Sequence, residues 1–516
     1  MGNLQDVGNL QDMDALLVGW AEVDVTPDKM VSLNGQFAER ISEYVEKPLT
    51  ATALALEKDG EQLVLCSVDI IEISCTFLDT VRRKLDKKEK GLDPEKIVIN
   101  AIHNHTGPGY AGLYDSRLDV GDTAFSFRTL LESELPPGRK YVDHAAVGER
   151  DDLATEEELL EMLTDGVVRA IREAWQARRP GGFTNAFGRA AVGMCRRVVY
   201  ADGSARMWGD TDSAVFEELE AGSDSGIELL YFFNIQGELT GIAANLACPA
   251  QCVQHRLFIS PDFWGEVKLL LRRRFGDKLF LLPLCSAAGD QCPVDLIRWV
   301  EPYSDVNDPN LKRERPKKRK ADPSMFDLEG MRKAGRRIAD EIIGVYEDGL
   351  EEPQFRPILR HQVSVLQLPV RCATFKDVEE ARAKIREYLQ SHPGDVDYNT
   401  AAQLQVYLGI LRRYDIQDRR DTLDTEVHIV RLGSVAIATN PFELFLNYGN
   451  QIKARSSAEQ TFLVQLANGR EGYLPTKKAE MGGHYSAFLA SGRVGHQGGA
   501  QLVRETVASI KRLFET

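Results

Sequence analysis

Two histidines one residue apart, His103 and His105, close the run Ile99-Asn100-Ala101-Ile102, and Thr106-Gly107-Pro108-Gly109 follows at once. Side chains at i and i+2 of a strand share a face. The spacing therefore predicts both imidazoles emerging together where a strand ends, with a glycine-rich turn leaving space beside them. Imidazole is the commonest zinc ligand and a frequent proton-transfer group. The pair alone is also compatible with two hydrogen-bonded structural histidines.

The elements that must position these residues alternate along the chain. Strand-like runs at 17–23, 49–56 and 63–71 precede an amphipathic helix at 77–88 and the strand that delivers His103. A long helix at 156–178 is followed by strands at 227–235 and 239–246, a helix at 265–274 and a strand at 279–284. The last third reads as a helix at 325–348, a strand at 358–370, a helical insertion at 375–414, strands at 426–439 and 461–466, and a helix at 499–514. This order predicts a mixed α/β fold, mixed sheets flanked by helices. No GxGxxG or Walker loop marks a nucleotide site. The expected organisation is a flexible leader at 1–15 and a single catalytic domain at 16–516, with insertions at about 113–150, 301–323 and 375–414.

The chain has 516 residues and a net charge of −15, which repels nucleic acid and anionic lipid. One basic run, 312–320, reads as a solvated loop. Eight cysteines are too few for a disulfide scaffold, and Cys66 and Cys285 sit in apolar runs. The N-terminus shows no secretory signal, and no 18-residue apolar segment occurs, so the expected setting is a reduced cytoplasm. The expected partner is a small-molecule substrate, with no nucleic acid and no membrane; self-association into a homo-oligomer stays open.

Four ordered blocks resemble the neutral/alkaline, non-lysosomal ceramidases, which are zinc amidases. His103-Asn104-His105-Thr106-Gly107-Pro108-Gly109 is similar to that family's HTHSGPG, and Gly289-Asp290-Gln291-Cys292-Pro293 to its GDVSPN. Pro441-Phe442-Glu443 resembles its PGE, and the segment from Asn468 to Thr476 its NxYxxYxTT. The resemblance implies a ceramidase-like catalytic domain without the family's C-terminal β-sandwich, since the sequence stops about 31 residues after Tyr485. It implies a Zn²⁺ site with His103, Glu443 and Tyr473 as ligands, and His105, Tyr485 and Arg196 facing the reacting carbonyl, with Arg197 in reserve.

Two departures matter. The family's second zinc histidine lies fourteen residues before the aspartate of an ISSDN segment, and here Cys248 lies fourteen before Asp262 of Ile259-Ser260-Pro261-Asp262. A thiolate is a competent zinc ligand; alternatively Cys248 is merely buried, and His255 or no residue completes the site. Cys292 replaces the GDVSPN serine, either as a nucleophile or as a small packing residue beside a zinc-bound water.

The implied function is a zinc-dependent hydrolase cleaving an amide (N-acyl) bond by a metal-activated water. Charges at Asp115, Arg117, Asp119, Asp122, Arg128 and Arg139 in the 113–150 insertion point to a soluble, polar substrate rather than ceramide. Ester or glycoside hydrolysis, an authentic ceramidase, a Cys292 acyltransferase and a non-catalytic binding protein remain the alternatives.

Overall fold

The structure is a computed structural model, and it describes residues 15–36, 40–86, 91–110, 127–142, 152–298 and 325–515. The leader, the basic run at 312–320 and most of the two insertions at 113–150 and 301–323 lie outside the described residues.

Eight strands form the large sheet: β1 (Leu17–Asp24), β2 (Thr50–Lys58), β3 (Glu61–Val68), β4 (Ile97–Ala101), β5 (Arg179–Arg189), β6 (Gly226–Asn234), β7 (Leu239–Leu246) and β8 (Phe280–Cys285). Their order is β8-β7-β6-β5-β1-β2-β3-β4. The β3–β4 and β7–β8 pairs are parallel, and the other pairs antiparallel. A second sheet joins β9 (Leu359–Pro369), β10 (Thr422–Leu432), β11 (Val435–Thr439) and, after the two-residue β12 (Glu443–Leu444), β13 (Gln460–Val464).

One face of each sheet is apolar, and these faces pack together through Val18, Trp20, Leu54, Leu65, Phe183, Phe232, Leu284, Val430, Ile437 and Phe462. Helices cover the outer faces. The helix Glu156–Gln176, started by a Thr155–Glu158 capping box, buries Leu163, Val167 and Ile171 on the β1–β4 half. Phe263–Phe275 and Asp327–Asp348 cover the β6–β7 half, and Leu446–Arg455 and His496–Glu515 cover the second sheet. The result is a helix–sheet–sheet–helix arrangement, the mixed α/β class that the alternation predicts.

The segment 375–414 forms the helices Phe375–Ser391 and Tyr398–Ile416. They share a small core of their own, Val378, Ile385, Leu404 and Leu408, with Leu130 and Leu131 of the short helix Phe127–Glu134. Arg139 donates to the carbonyls of Leu389 and His392, and Arg128 pairs with Glu132. Among the described residues no helix is long and apolar enough to cross a membrane.

Candidate active site

Strand β4 is an edge strand, fully buried, with only β3 beside it in the sheet. Its free edge is taken by the loop 466–468. Ala101 N–H donates to the Leu466 carbonyl (3.3 Å), and Asn468 N–H to that of Ile99 (2.9 Å). The Asn468 side chain completes the ladder: Oδ1 accepts from Ile99 N–H (2.7 Å), and Nδ2 donates to the Ile97 carbonyl (2.9 Å). Leu466 and Asn468 sit at φ 51° and 54°, a left-handed conformation that asparagine tolerates better than most residues. This docking sets the strand that leads to His103 in register with the loop that leads to Tyr473.

The two histidines meet by a different route from the strand alternation expected. Strand β4 stops at Ala101, and His103 itself takes φ 60°, so a turn rather than a strand brings the rings together, edge to face at 4.9 Å. Asn104 holds that turn: its Nδ2 donates to the Asp69 and Ser260 carbonyls, and its Oδ1 accepts from Thr106.

Glu443 and Tyr473 are direct partners between β12 and the parallel strand β14 (Tyr473–Leu474). A Cβ on Gly289 would lie 2.3 Å from the Glu443 carbonyl, so only glycine lets the Gly289-Asp290 turn approach this closely. Arg196, nearly fully buried, donates through Nη2 to the Gly289 carbonyl (2.9 Å) and to the Tyr473 hydroxyl (3.2 Å). The Tyr473 hydroxyl lies 3.5 Å from that of Tyr485, with the rings edge-on. Thus His103, His105, Glu443, Tyr473, Tyr485 and Arg196, from distant parts of the chain, are linked by ring contacts, an ion pair and hydrogen bonds.

The protonation pattern is informative. His103 Nδ1–H donates to the Ile71 carbonyl (2.9 Å), which directs the Nε2 lone pair at Glu443 Oε2, 3.1 Å away. A lone pair and a carboxylate facing each other require a cation between them, either a proton or a metal. Burial opposes a charge on His103, but the Glu443 carboxylate prevails and raises its pKa. Two ligands on one tetrahedral zinc with bonds of about 2.0–2.1 Å lie roughly 3.3 Å apart, so the donors fit the ion as well as they fit a proton. The Ile71 carbonyl fixes the tautomer, as outer partners of zinc histidines do. Among the described residues no group of three or more His, Cys, Asp and Glu side chains is arranged to hold a metal.

Neither ring nitrogen of His105 makes a well-directed hydrogen bond to another side chain among the described residues, and the Gly35 backbone is its polar neighbour. Burial, then the positive charges of His103, Arg40 and Arg196, hold its pKa well below the ordinary value, so the ring is neutral. Gly35, at φ 99°, lies against it; a Cβ there would fall 2.4 Å from Nδ1. Burial, then the Glu443 charge, pushes the Tyr485 phenol up to about 12, keeping its proton in place.

Cys248 and Cys292 lie on the Arg196 side of this group, each within reach of its charge. Cys248 belongs to the apolar cluster of Ile102, Val192, Ala250 and Trp264, and its thiol donates to its neighbour's carbonyl at Pro249 (3.5 Å). Burial, then neighbouring Cys292 and Cys285, raises its pKa well above the ordinary value. Cys292 is fully buried, donates to the Val294 carbonyl (3.5 Å), and is pushed up to about 12 by burial. His255 pairs with Asp327 (3.3 Å) and stacks on Phe326. Arg197 is clamped by Glu220 and donates to the Tyr485 carbonyl (2.8 Å), which holds Tyr485 from behind. A cavity of about 390 Å³ lined by Glu220, Asp290, Asn447, Lys477 and His496 includes none of the six grouped residues.

Three residues were missed from sequence. Arg40 donates to the His105 and Asn34 carbonyls (2.8 and 2.6 Å). Glu72 follows Ile71 and pairs with Arg470 (2.9 Å). Arg470 lies inside the Asn468–Thr476 block, which was its only signal.

No family model matches the chain, and no curated protein matches it by sequence. Solved structures do. The chain resembles the neutral ceramidase from Pseudomonas aeruginosa with a TM-score of 0.63 at 17% identity, covering 97% of this chain and 75% of that one. It resembles a structure described as ceramidase complexed with C2 with a TM-score of 0.65 at 15% identity, again over 97% of this chain and 75% of that one. The fold is that of the ceramidase catalytic domain.

Proposed function

We propose that this chain is a zinc-dependent hydrolase that cleaves the amide (N-acyl) bond of a soluble, polar substrate. The observation that carries the proposal is the His103 Nε2 lone pair aimed at the Glu443 carboxylate 3.1 Å away, with Tyr473 paired to Glu443 across two short strands. The likeness in fold to ceramidases, which cleave an amide, supports it.

His103, Glu443 and Tyr473 would hold the metal, and Cys248 is the proposed fourth ligand if its side chain turns out of the apolar cluster. A bound zinc supplies a hydroxide near neutral pH and polarises the scissile carbonyl. The protein's own groups do the rest. Arg196 supplies a fixed positive charge beside the carbonyl, locked by Gly289 and Tyr473. Tyr485 keeps its proton and donates to the developing oxyanion. His105, neutral, takes up a proton and passes it to the leaving amine. Cys292 serves as packing, since a fully buried thiol pushed up to about 12 is a poor nucleophile.

The test is a panel of water-soluble amides, esters and glycosides assayed beside short- and long-chain ceramides in detergent, with and without a chelator. Chelator-sensitive amide cleavage is expected. Long-chain ceramide turnover above about 10⁴ M⁻¹s⁻¹ in kcat/KM would make the chain a ceramidase, the second reading that the structural likeness favours.

A further inference from the structure

We infer that Arg470 anchors a carboxylate on the substrate, so that the amide cleaved belongs to a compound such as an N-acyl amino acid; the inference rests on the hydrolase reading of the same site. Arg470 lies three residues before Tyr473, and its side chain is 8% exposed. Its Nη1 pairs with the Glu72 carboxylate at 2.9 Å as an ion pair, yet this buried nitrogen has no well-directed hydrogen bond among the described residues. A guanidinium carries five N–H donors in a planar fork, and one carboxylate oxygen uses a fraction of them. So nearly buried a cation with spare donors is costly unless something completes its set.

The placement is what ties it to the substrate. Glu72 follows Ile71, whose carbonyl holds His103, and Asn34 Nδ2 reaches Glu72 at 3.4 Å. The next residue, Gly35, packs on the His105 ring. Arg470, Glu72 and Asn34 thus form a polar border along the His103–His105 side of the site. The charges there are Arg40, Arg196 and Arg470 against Glu72, Glu443 and Glu156, which also faces Arg470, so that a bound metal would tip the balance to the positive side. With a metal held, this is a locally cationic site in a chain of net charge −15, and it favours an anionic substrate. Hydrolysis would add water across the acyl C–N bond, its oxygen going to the acyl carbon and its protons to the amine, releasing a fatty or short acid and a free amino acid.

The experiment compares kcat/KM for an N-acyl amino acid with that for its carboxamide, in the parent, Arg470→Met, Arg470→Lys and Glu72→Gln. The parent should prefer the carboxylate by roughly tenfold to 150-fold, the range of one hydrogen bond to a charged group. Arg470→Met should bring the ratio near one, and Arg470→Lys should restore part of it. Glu72→Gln should widen the preference, because it frees the guanidinium; a purely structural ion pair would instead make Glu72→Gln resemble Arg470→Met. Equal rates for both compounds in the parent, or an unchanged ratio in Arg470→Met, would overturn the inference. If the parent hydrolyses neither amide, the hydrolase reading fails, and calorimetric binding of the two compounds then decides alone: a carboxylate preference lost in Arg470→Met upholds the anchor, and equal binding removes it.

Discussion

Replacing Asn468 with alanine should loosen the candidate site without touching any of its donors. The substitution removes the acceptor for Ile99 N–H at 2.7 Å and the donor to the Ile97 carbonyl at 2.9 Å, both in a fully buried strand. Each orphaned buried group costs about 1–3 kcal/mol, and alanine at φ 54° adds about 1 kcal/mol. The expected loss is therefore about 3–7 kcal/mol, much of the roughly 5–15 kcal/mol by which folded chains are stable. Local hydrogen exchange at Ile99, beside urea unfolding, is the right assay. The Ile99 amide should lose protection far beyond neighbouring β3, and zinc affinity should fall because His103 and Tyr473 lose their common register. Asn468→Asp should keep the Ile99 bond yet lose the Ile97 one and repel Glu426, which Asn468 Nδ2 contacts at 2.8 Å. An Ile99 amide as protected in Asn468→Ala as in the parent would refute this account of how the two halves are aligned.

The remaining predictions concern pH and individual side chains. His361 and His428 share a 2.8 Å hydrogen bond between the sheets, facing Glu426, Arg82 and Lys96. Burial, then the charge of His428, lowers His361 to about 3, and burial lowers His428. Folded pKa values below the unfolded value of about 6.5 mean that the unfolded chain binds more protons below that pH. Stability should fall as pH drops from about 6.5 towards 3, by up to about 1.4 kcal/mol per pH unit for each histidine, and His361→Gln should flatten the slope in urea titrations. Cys292→Ala should keep substantial turnover; a trapped acyl-thioester on Cys292 would contradict that. Tyr485→Phe should lower kcat by roughly 10²–10³, as loss of a donor aimed at developing charge does; an unchanged kcat would remove Tyr485 from the mechanism.

Much of this arrangement was legible in sequence because the strong signals were local. The run ending at Ala101, the apolar runs of β6 and β7 and the apolar face of Glu156–Gln176 are each visible within a short stretch of sequence. Strand β5 was missed because Arg179, Pro180 and two glycines open it, and its pairing with β6 overrides those propensities. The helix Leu446–Arg455 was missed because it is short and lacks a side-chain cap. The grouping of His103, Glu443 and Tyr473 followed from motif order, yet the way they meet did not. It depends on a left-handed His103, on Gly289 and on a side chain, Asn468, that substitutes for a strand. Arg40 and Glu72 carried no signal because their roles rest on contacts with distant parts of the chain, Arg40 with the His105 carbonyl and Glu72 with Arg470. Spacing alone could not show the surroundings of Cys248, whose sulfur lies among apolar side chains and other thiols in this structure.

The central claim is that His103, Glu443 and Tyr473 hold a catalytic zinc, and metal analysis of the purified chain tests it most directly. The parent should carry about one zinc per chain, and His103→Ala and Glu443→Ala should each lose most of it, since deleting one donor opens the shell. A parent that cleaves its amide with no bound metal, or His103→Ala and Glu443→Ala proteins with full occupancy, would contradict the account.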